Sequence, residues 1–139
     1  MPTYLQREEM STEGDGQVID LTPLLEKAVA NSGFHDGTAT AFARHTTVGI
    51  TAMEHEPGTD TDFAELFRRL VPQGNEYHHN RLNADTNGHA HARAAMLGPS
   101  VTVPFTAGRL LLGTWQSVVA VDFDDRPRRR EIIFQVIGE

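Results

Sequence analysis

The sequence predicts an α+β fold, with a β-sandwich-like core of mainly antiparallel strands and about three inserted helices. Short segments of alternating apolar and polar residues dominate the chain, as is typical of strands with one buried face. Apolar residues at helical spacing occur in three separate segments, which do not alternate regularly with the strands. The 139 residues contain no internal repeat or linker, so we expect a single domain over residues 1–139.

The first half of the chain predicts four strands and two helices. The first helix begins near Thr22, where Pro23 suits an early helical position, and ends at 31–33. The second helix begins near residues 59–61, carries its apolar stripe on Phe63, Leu66, Phe67 and Leu70, and ends before Pro72. The strands are expected at Thr3–Arg7, Val18–Leu21, Thr38–Arg44 and Val48–Glu54.

The second half predicts a polar loop over 73–86, a helix capped by Asn87, and then only strands. A polar loop of this length indicates a functional segment. The single tryptophan, Trp115, is expected to be a core or interface anchor. The four strands are expected at Val101–Phe105, Arg109–Leu112, Gln116–Phe123 and Glu131–Ile137.

Composition excludes several classes of protein. The chain has no cysteine, so disulfides, thiolate nucleophiles and cysteine-ligated zinc are excluded. The formal net charge of −7 argues against a nucleic-acid-binding surface. No segment approaches the roughly 20 apolar residues of a membrane helix, and 1–10 lacks the apolar core of a secretory signal. We therefore expect no nucleic-acid or membrane partner and a cytoplasmic location.

Histidines are the informative residues. His45 stands in His-Thr-Thr, His79 ends Tyr-His-His, and His89 and His91 flank Ala90. Imidazole is the commonest neutral metal ligand, although no standard metal-binding spacing is present and a single histidine is more often structural. In a helix His89 and His91 point about 200° apart, so only one can face a given site. We favour His91, with His89 as a rim residue or optional ligand.

Acids near these histidines suit two roles. A carboxylate can orient a ligating imidazole or act as a general base, and Glu54 and Asp85 are the candidates for these roles. Asp62 fits the first turn of a helix, where an acid favours the helix dipole. Asp122 alternates with apolar neighbours, which indicates a solvent-exposed side chain.

Arginines and threonines offer contacts for an anion. The run at Arg126, Arg128, Arg129 and Arg130 fits either a solvated turn between strands or a phosphate anchor. Thr46 and Thr47 can donate hydrogen bonds to an oxyanion or cap a turn.

Several of these segments resemble the YjbQ-like family. They are Phe-Ala-Arg-His-Thr-Thr at 42–47, Tyr-His-His at 77–79, Asn-Gly-His-Ala-His at 87–91, Leu-Gly-Pro-Ser at 97–100 and Gly-Thr-Trp-Gln at 113–116. The resemblance covers roughly residues 34–139. The turn at 122–128 departs from the family pattern, because Asp125 replaces a glycine and one residue is inserted.

The resemblance implies a β-sandwich-based α+β fold, a homotrimer and an association with thiamine-phosphate synthase activity, in which pyrophosphate is released. His45, His79 and His91 fall on positions that are His in the family, and we expect them to hold a divalent metal, zinc being the commonest choice for imidazole ligands. Glu54, Asp85 and Asn87 fall on family-like polar positions and are the expected catalytic residues. An anionic or phosphorylated molecule would contact Thr46, Thr47, Arg109 and Arg128.

Three hypotheses remain at this point. The chain is a metal-dependent transferase or hydrolase, a non-catalytic trimeric module that binds a small anionic metabolite, or a trimer that uses its histidines for structure alone. A catalytic metal site requires an open coordination position and a poised base, whereas a binding site requires only convergent donors.

Overall fold

The computed structural model describes residues 2–74 and 76–139, over which the chain forms eight strands and four helices. The strands are β1 Thr3–Thr12, β2 Gln17–Asp20, β3 Gly37–Ala43, β4 Val48–Met53, β5 Ser100–Thr106, β6 Arg109–Leu110, β7 Ser117–Asp122 and β8 Arg128–Gly138. The helices are α1 Thr22–Ser32, α2 Pro57–Leu70, α3 His78–Asn83 and α4 Gly88–Leu97. The predicted α+β class is confirmed.

The strands form two antiparallel sheets. The larger sheet has the order β1-β8-β3-β5-β6, and the smaller has the order β2-β7-β4. In the larger sheet β8 is long enough to pair with β1 along its whole length and with β3 on its other edge. The register brings the start of β8, at Arg128, to the same end of the sheet as the close of β3, at Ala43.

Two apolar clusters hold these layers together. Between the sheets lie the inward residues of β3 and β8, packed against α1 and the alternate residues Val118 and Ala120 of β7. On the outer face of the smaller sheet, Val119 and Val121 pack against α2 and α4. Both faces of β7 are therefore buried, which explains its continuous apolar run.

The helices differ from the sequence prediction in two places. The predicted loop 73–86, of which Asn75 lies outside the described residues, contains the short helix α3. The N-cap of α2 is Glu56, whose carboxylate accepts the backbone N–H groups of Gly58 and Thr59, and not a residue of 59–61. Glutamate is a less usual N-cap than serine or aspartate, so the capping preference pointed to the wrong residue.

Trp115 is 74% exposed, so the core alternative of its predicted role is wrong, and the interface alternative stays a prediction. It lies in the connection between β6 and β7 and belongs to neither apolar cluster of the described residues. None of the helices within 2–74 and 76–139 has the length and apolar content that crossing a bilayer requires.

Candidate functional site

An open cleft of about 510 Å³ forms where three segments meet. They are the β3–β4 loop, the region before and at the start of α4, and the turn that leads from β7 into β8. We call this the arginine cleft. Its lining residues are mostly polar and comprise Arg44, His45, Thr46, Thr47, Asp85, Asn87, His91, Asp124, Arg128, Arg129 and Arg130. Four arginines against two aspartates give the lining a positive formal charge with the histidines neutral.

A buried ion pair forms the floor of the cleft. Arg130 is 6% exposed, and it donates from Nε to Asp122 Oδ2 at 2.7 Å and from Nη2 to Oδ1 at 2.9 Å. Asp122 is fully buried and also accepts a hydrogen bond from Thr12 Oγ1 at 2.5 Å. Arg130 Nη2 donates further to Thr47 Oγ1 at 2.8 Å, so the pair fixes the β3–β4 loop.

The predicted exposure of Asp122 is therefore wrong. Asp122 continues the β7 face of Val118 and Ala120, which points between the two sheets. Alternation with apolar neighbours indicates exposure only when one face of a strand meets water, and both faces of β7 are covered.

Asp124 is the second buried acid, and it ties the loops to the arginines. Its Oδ2 accepts from Thr47 Oγ1 and Arg128 Nε, both at 3.1 Å, and its Oδ1 accepts from Asn87 Nδ2 at 3.4 Å. Burial by itself would raise the pKa of Asp124. Hydrogen bonds from the Asp125 backbone N–H, Asn87, Thr47 and Arg128 outweigh burial and lower that pKa to about 2.

The backbone near the start of β8 contacts one edge of the His45 imidazole ring. Its Nε2 lies 3.0 Å from the backbone nitrogen of Glu131 and 3.2 Å from the carbonyl oxygen of the same residue. Either neutral tautomer therefore finds a partner there, and Nδ1 remains for other contacts. Burial, followed by the positive charge of Arg130, lowers the pKa of His45, which keeps the ring neutral near pH 7.

His79 and His91 form a pair beside the cleft. Their ring centroids are 4.4 Å apart, and the planes are tilted by 42°. Burial lowers the pKa of His91, and the neighbouring His79 lowers it further. His91 lines the arginine cleft, as the helical geometry of α4 predicted.

The predicted three-histidine metal site is not preformed within one chain. Across the described ranges, no group of three or more His, Asp or Glu side chains is positioned to hold a metal ion. His79 and His91 supply an imidazole pair, whereas His45 offers only Nδ1, because its Nε2 contacts the Glu131 backbone. A zinc site requires three or four ligands, so the residues of a single chain do not fit that centre.

Asp85 reaches the rim of the cleft but is already paired. Its Oδ1 accepts from Arg126 Nη2 at 2.8 Å and from the Thr86 backbone N–H at 2.7 Å. The Thr86 hydrogen bond and then Arg126 lower the pKa of Asp85, while Asp125 and Asp85 raise the pKa of Arg126. Arg126 thus serves as an internal counterion within the arginine run.

The structure does not bring two predicted site residues to the cleft. Glu54 is exposed and follows the Met53 end of β4, whereas the cleft lies at the Val48 end, roughly 17–20 Å away at 3.3 Å per residue. Arg109 is exposed on β6, beside the Gly37 end of β3 rather than the His45 end. Both predictions assumed that these side chains lie beside the histidines, and the direction of the strands rules this out.

His89 is not the rim residue that the sequence suggested. It is 2% exposed and lines a different cavity on the other face of α4. Sequence reasoning also did not single out Arg44 or Asp124. Arg130 could have been separated from its neighbours, because it shares the inward face of β8 with Ile132, Phe134 and Val136.

The fold and the cleft together define a small two-sheet α+β protein with an arginine- and histidine-lined site. The chain belongs to the family described as UPF0047 protein YjbQ-like, whose model matches residues 6–139. The predicted family resemblance is thereby confirmed.

Relatives match over most of their length. The UPF0047 protein of Archaeoglobus fulgidus is 39% identical over 121 residues, which cover 87% of this chain and 91% of the relative. The UPF0047 protein of Methanothermobacter thermautotrophicus is 34% identical over 139 residues, which cover 100% of this chain and 95% of the relative.

Solved structures show the same fold. A YbjQ-like protein of unknown function from Sulfolobus solfataricus P2 has a TM-score of 0.88 at 28% identity, covering 99% of this chain and 100% of that one. An uncharacterized conserved protein of the family from Clostridium acetobutylicum has a TM-score of 0.86 at 36% identity, covering 95% of this chain and 99% of that one.

Proposed function

We propose that the arginine cleft binds a small phosphorylated or otherwise anionic molecule. Arg128 carries the proposal. Its Nε is anchored to the buried Asp124, and its side chain is 41% exposed at the cleft. Among the described residues its guanidinium makes that one hydrogen bond, so both terminal nitrogens are available to an anion.

The surroundings of Arg128 suit the same ligand. The chain carries a net charge of −7, yet the lining of this cleft is positive, which concentrates small anions at this place. Thr46 and Asn87 add polar donors, and the neutral rings of His45 and His91 can donate or accept a hydrogen bond.

The reaction proposed for this site is transfer with release of pyrophosphate, as thiamine-phosphate synthase activity requires. The ring nitrogen of a thiazole phosphate would form a new C–N bond to the carbon that carries the pyrimidine's diphosphate. The leaving pyrophosphate takes the electron pair of the broken C–O bond, and Arg128 would stabilise the resulting charge. The two acids of the cleft are poor proton acceptors, since Asp124 has a pKa of about 2 and Asp85 is paired with Arg126. His45 and His91 are therefore the candidates for proton transfer.

A non-catalytic binding module is the second candidate. It is favoured by the way the acids are used, because Asp122, Asp124 and Asp85 each neutralise an arginine and none is poised as a base. Such an arrangement holds an anion without requiring any step of chemistry.

A homotrimer and a divalent metal, zinc by ligand type, belong to this proposal. Two features support assembly: Trp115 is exposed, and the pair His79–His91 has no third metal ligand beside it among the described residues. A neighbouring subunit could complete the set. Sedimentation velocity tests the trimer, and a monomer at micromolar concentration would contradict it.

The binding experiment uses inorganic pyrophosphate as the probe, titrated calorimetrically into the wild type, Arg128→Gln and Arg109→Gln. We expect Arg128→Gln to weaken binding by about tenfold or more, because a charge-assisted hydrogen bond contributes roughly 1.5–3 kcal/mol. Arg109→Gln removes one arginine charge from β6, beside the end of β3 that is remote from the cleft, and serves as the matched control. Equal losses in both variants would show non-specific attraction and refute the site.

Metal content decides the metal component separately. Purified wild type, His79→Ala, His91→Ala and His45→Ala are assayed by mass spectrometry after incubation with zinc. The proposal expects a near-stoichiometric metal that is lost from His79→Ala and His91→Ala. If the wild type retains no metal, zinc is no longer part of the proposal, and the proposed anion-binding site is unaffected.

A further inference from the structure

A second cavity lies on the opposite face of α4 from the arginine cleft. It has a volume of about 500 Å³, within the range of small-molecule sites, and within the described residues it shares no lining residue with that cleft. Its walls combine three phenyl rings with two buried polar side chains. These are Phe63, Phe67, Phe123, His89 and Arg93. We call it the phenyl cavity.

His89 has an unmet hydrogen bond at this cavity. The side chain is 2% exposed, and its buried Nδ1 has no partner among the residues that the structure describes. Buried polar atoms are nearly always paired in native proteins. The missing partner of Nδ1 is therefore expected to be a molecule inside the phenyl cavity.

Arg93 has an unmet counterion at the same cavity. It is 8% exposed, its Nε donates to the Val71 carbonyl oxygen at 3.0 Å, and it takes part in no ion pair within 4.0 Å among residues 2–74 and 76–139. Its Cζ lies 5.9 Å and 6.0 Å from the ring centroids of Phe67 and Phe123, which offsets part of the charge. A buried arginine is normally paired with an anion, so a ligand carboxylate fits this position.

Two acids also line the cavity, Asp60 and Asp15. Asp60 pairs through Oδ2 with His55 Nδ1 at 2.8 Å, but its buried Oδ1 has no partner in the described part of the chain. Asp15 also lines the cavity and is exposed to solvent. An acceptor without a partner at Asp60 calls for a hydrogen-bond donor on the ligand.

We propose that the phenyl cavity binds a small aromatic carboxylate that carries a hydrogen-bond donor. The carboxylate pairs with Arg93 and accepts from His89, the ring packs against the phenylalanines, and the donor reaches Asp60. The site is independent of the function proposed for the arginine cleft.

The first test compares para-hydroxybenzoate with para-hydroxybenzamide, titrated into the wild-type protein and followed by NMR of the backbone amides. We expect saturable chemical-shift changes at cavity residues with the acid. The amide should bind at least about tenfold more weakly. Absence of saturable binding at millimolar acid means that the cavity holds water only and overturns the proposal. Equal binding of acid and amide overturns the role of Arg93.

Variants separate this cavity from the arginine cleft. Arg93→Gln, and Ala64→Leu, which fills the cavity from α2, are each expected to weaken para-hydroxybenzoate binding by about tenfold, whereas Arg128→Gln leaves it unchanged. Conversely, Arg93→Gln leaves pyrophosphate binding unchanged. Loss of para-hydroxybenzoate binding in Arg128→Gln would refute the assignment. If Arg93→Gln does not fold, the comparison of acid and amide on the wild type decides.

Discussion

Replacing Asp122 by asparagine tests whether the buried ion pair organises the arginine cleft. The asparagine keeps Oδ1, which accepts the Asp124 backbone N–H at 3.0 Å. Its Nδ2 replaces the Oδ2 that Arg130 Nε contacts at 2.7 Å and Thr12 contacts at 2.5 Å. The asparagine Nδ2, itself a donor, would then face the donors Arg130 Nε and Thr12 Oγ1. Arg130, which is 6% exposed, would lose its bidentate partner.

The magnitude follows from burial. Breaking one side of a buried ion pair costs roughly 3–5 kcal/mol, since the remaining charge is left uncompensated. Asp124 Oδ2, 3.6 Å from Arg130 Nη2, retains part of the compensation, so we expect about 3 kcal/mol. The unfolding entropy of about 2.1 cal/mol/K per residue converts this to a fall in Tm of roughly 10 °C for 139 residues.

The assay is urea unfolding followed by far-UV circular dichroism, with Glu9→Gln as the matched control. The pair Glu9–Arg129 has the same 2.7 Å contact, but its side chains are 56% and 68% exposed. Such a pair contributes about 0–1 kcal/mol. The double variant Asp122→Asn with Arg130→Met should be more stable than Asp122→Asn alone. A loss in Asp122→Asn no larger than in Glu9→Gln would refute the reasoning.

Two further predictions concern pH and packing. The pKa of Asp124 is lowered from 3.8 to about 2, so its contribution to the free energy of unfolding is complete above pH 4 and is lost as the pH falls through about 2. At roughly 1.4 kcal/mol per pKa unit this contribution is about 2 kcal/mol. The acid titration of Asp124→Asn should lack this loss of stability. A steeper acid loss in Asp124→Asn than in wild type would contradict this. Gly49→Ala would place the new Cβ 2.7 Å from Leu97 Cβ and should lower the free energy of unfolding in urea by about 1–3 kcal/mol. Gly74→Ala is the control, because no atom of the described residues beyond its chain neighbours lies within 4 Å of its new Cβ, and it should change stability by about 0.5 kcal/mol or less.

Part of the site could be predicted from the sequence. His45, Thr46 and Thr47 adjoin each other in the chain, and the helical geometry of α4 placed His91 and His89 on different faces. Asn87 and Asp85 lie directly before the same helix. Local structure determines which of these side chains share a segment or a helix face, whereas the packing of the segments brings His45, Asn87 and His91 to one cleft.

Long-range placement was less predictable. Glu54 and Arg109 were grouped with the histidines, yet Glu54 follows the end of β4 that is remote from the cleft, and Arg109 lies on β6 beside the remote end of β3. The metal set was likewise drawn from segments whose relative positions depend on the packing of α3 and α4 against the sheets. Chain spacing does not determine distances across layers.

The sequence by itself determined the α+β class, the family and most of the strands, because strand period, turn residues and family motifs are local properties. The tertiary structure decided which charges are buried. Asp122 and Arg130 lie eight residues apart on different sheets, and they meet because β7 and β8 each turn that residue toward the space between the two layers. The same packing placed His89 and Arg93 against three phenyl rings, in a cavity that no sequence motif indicated.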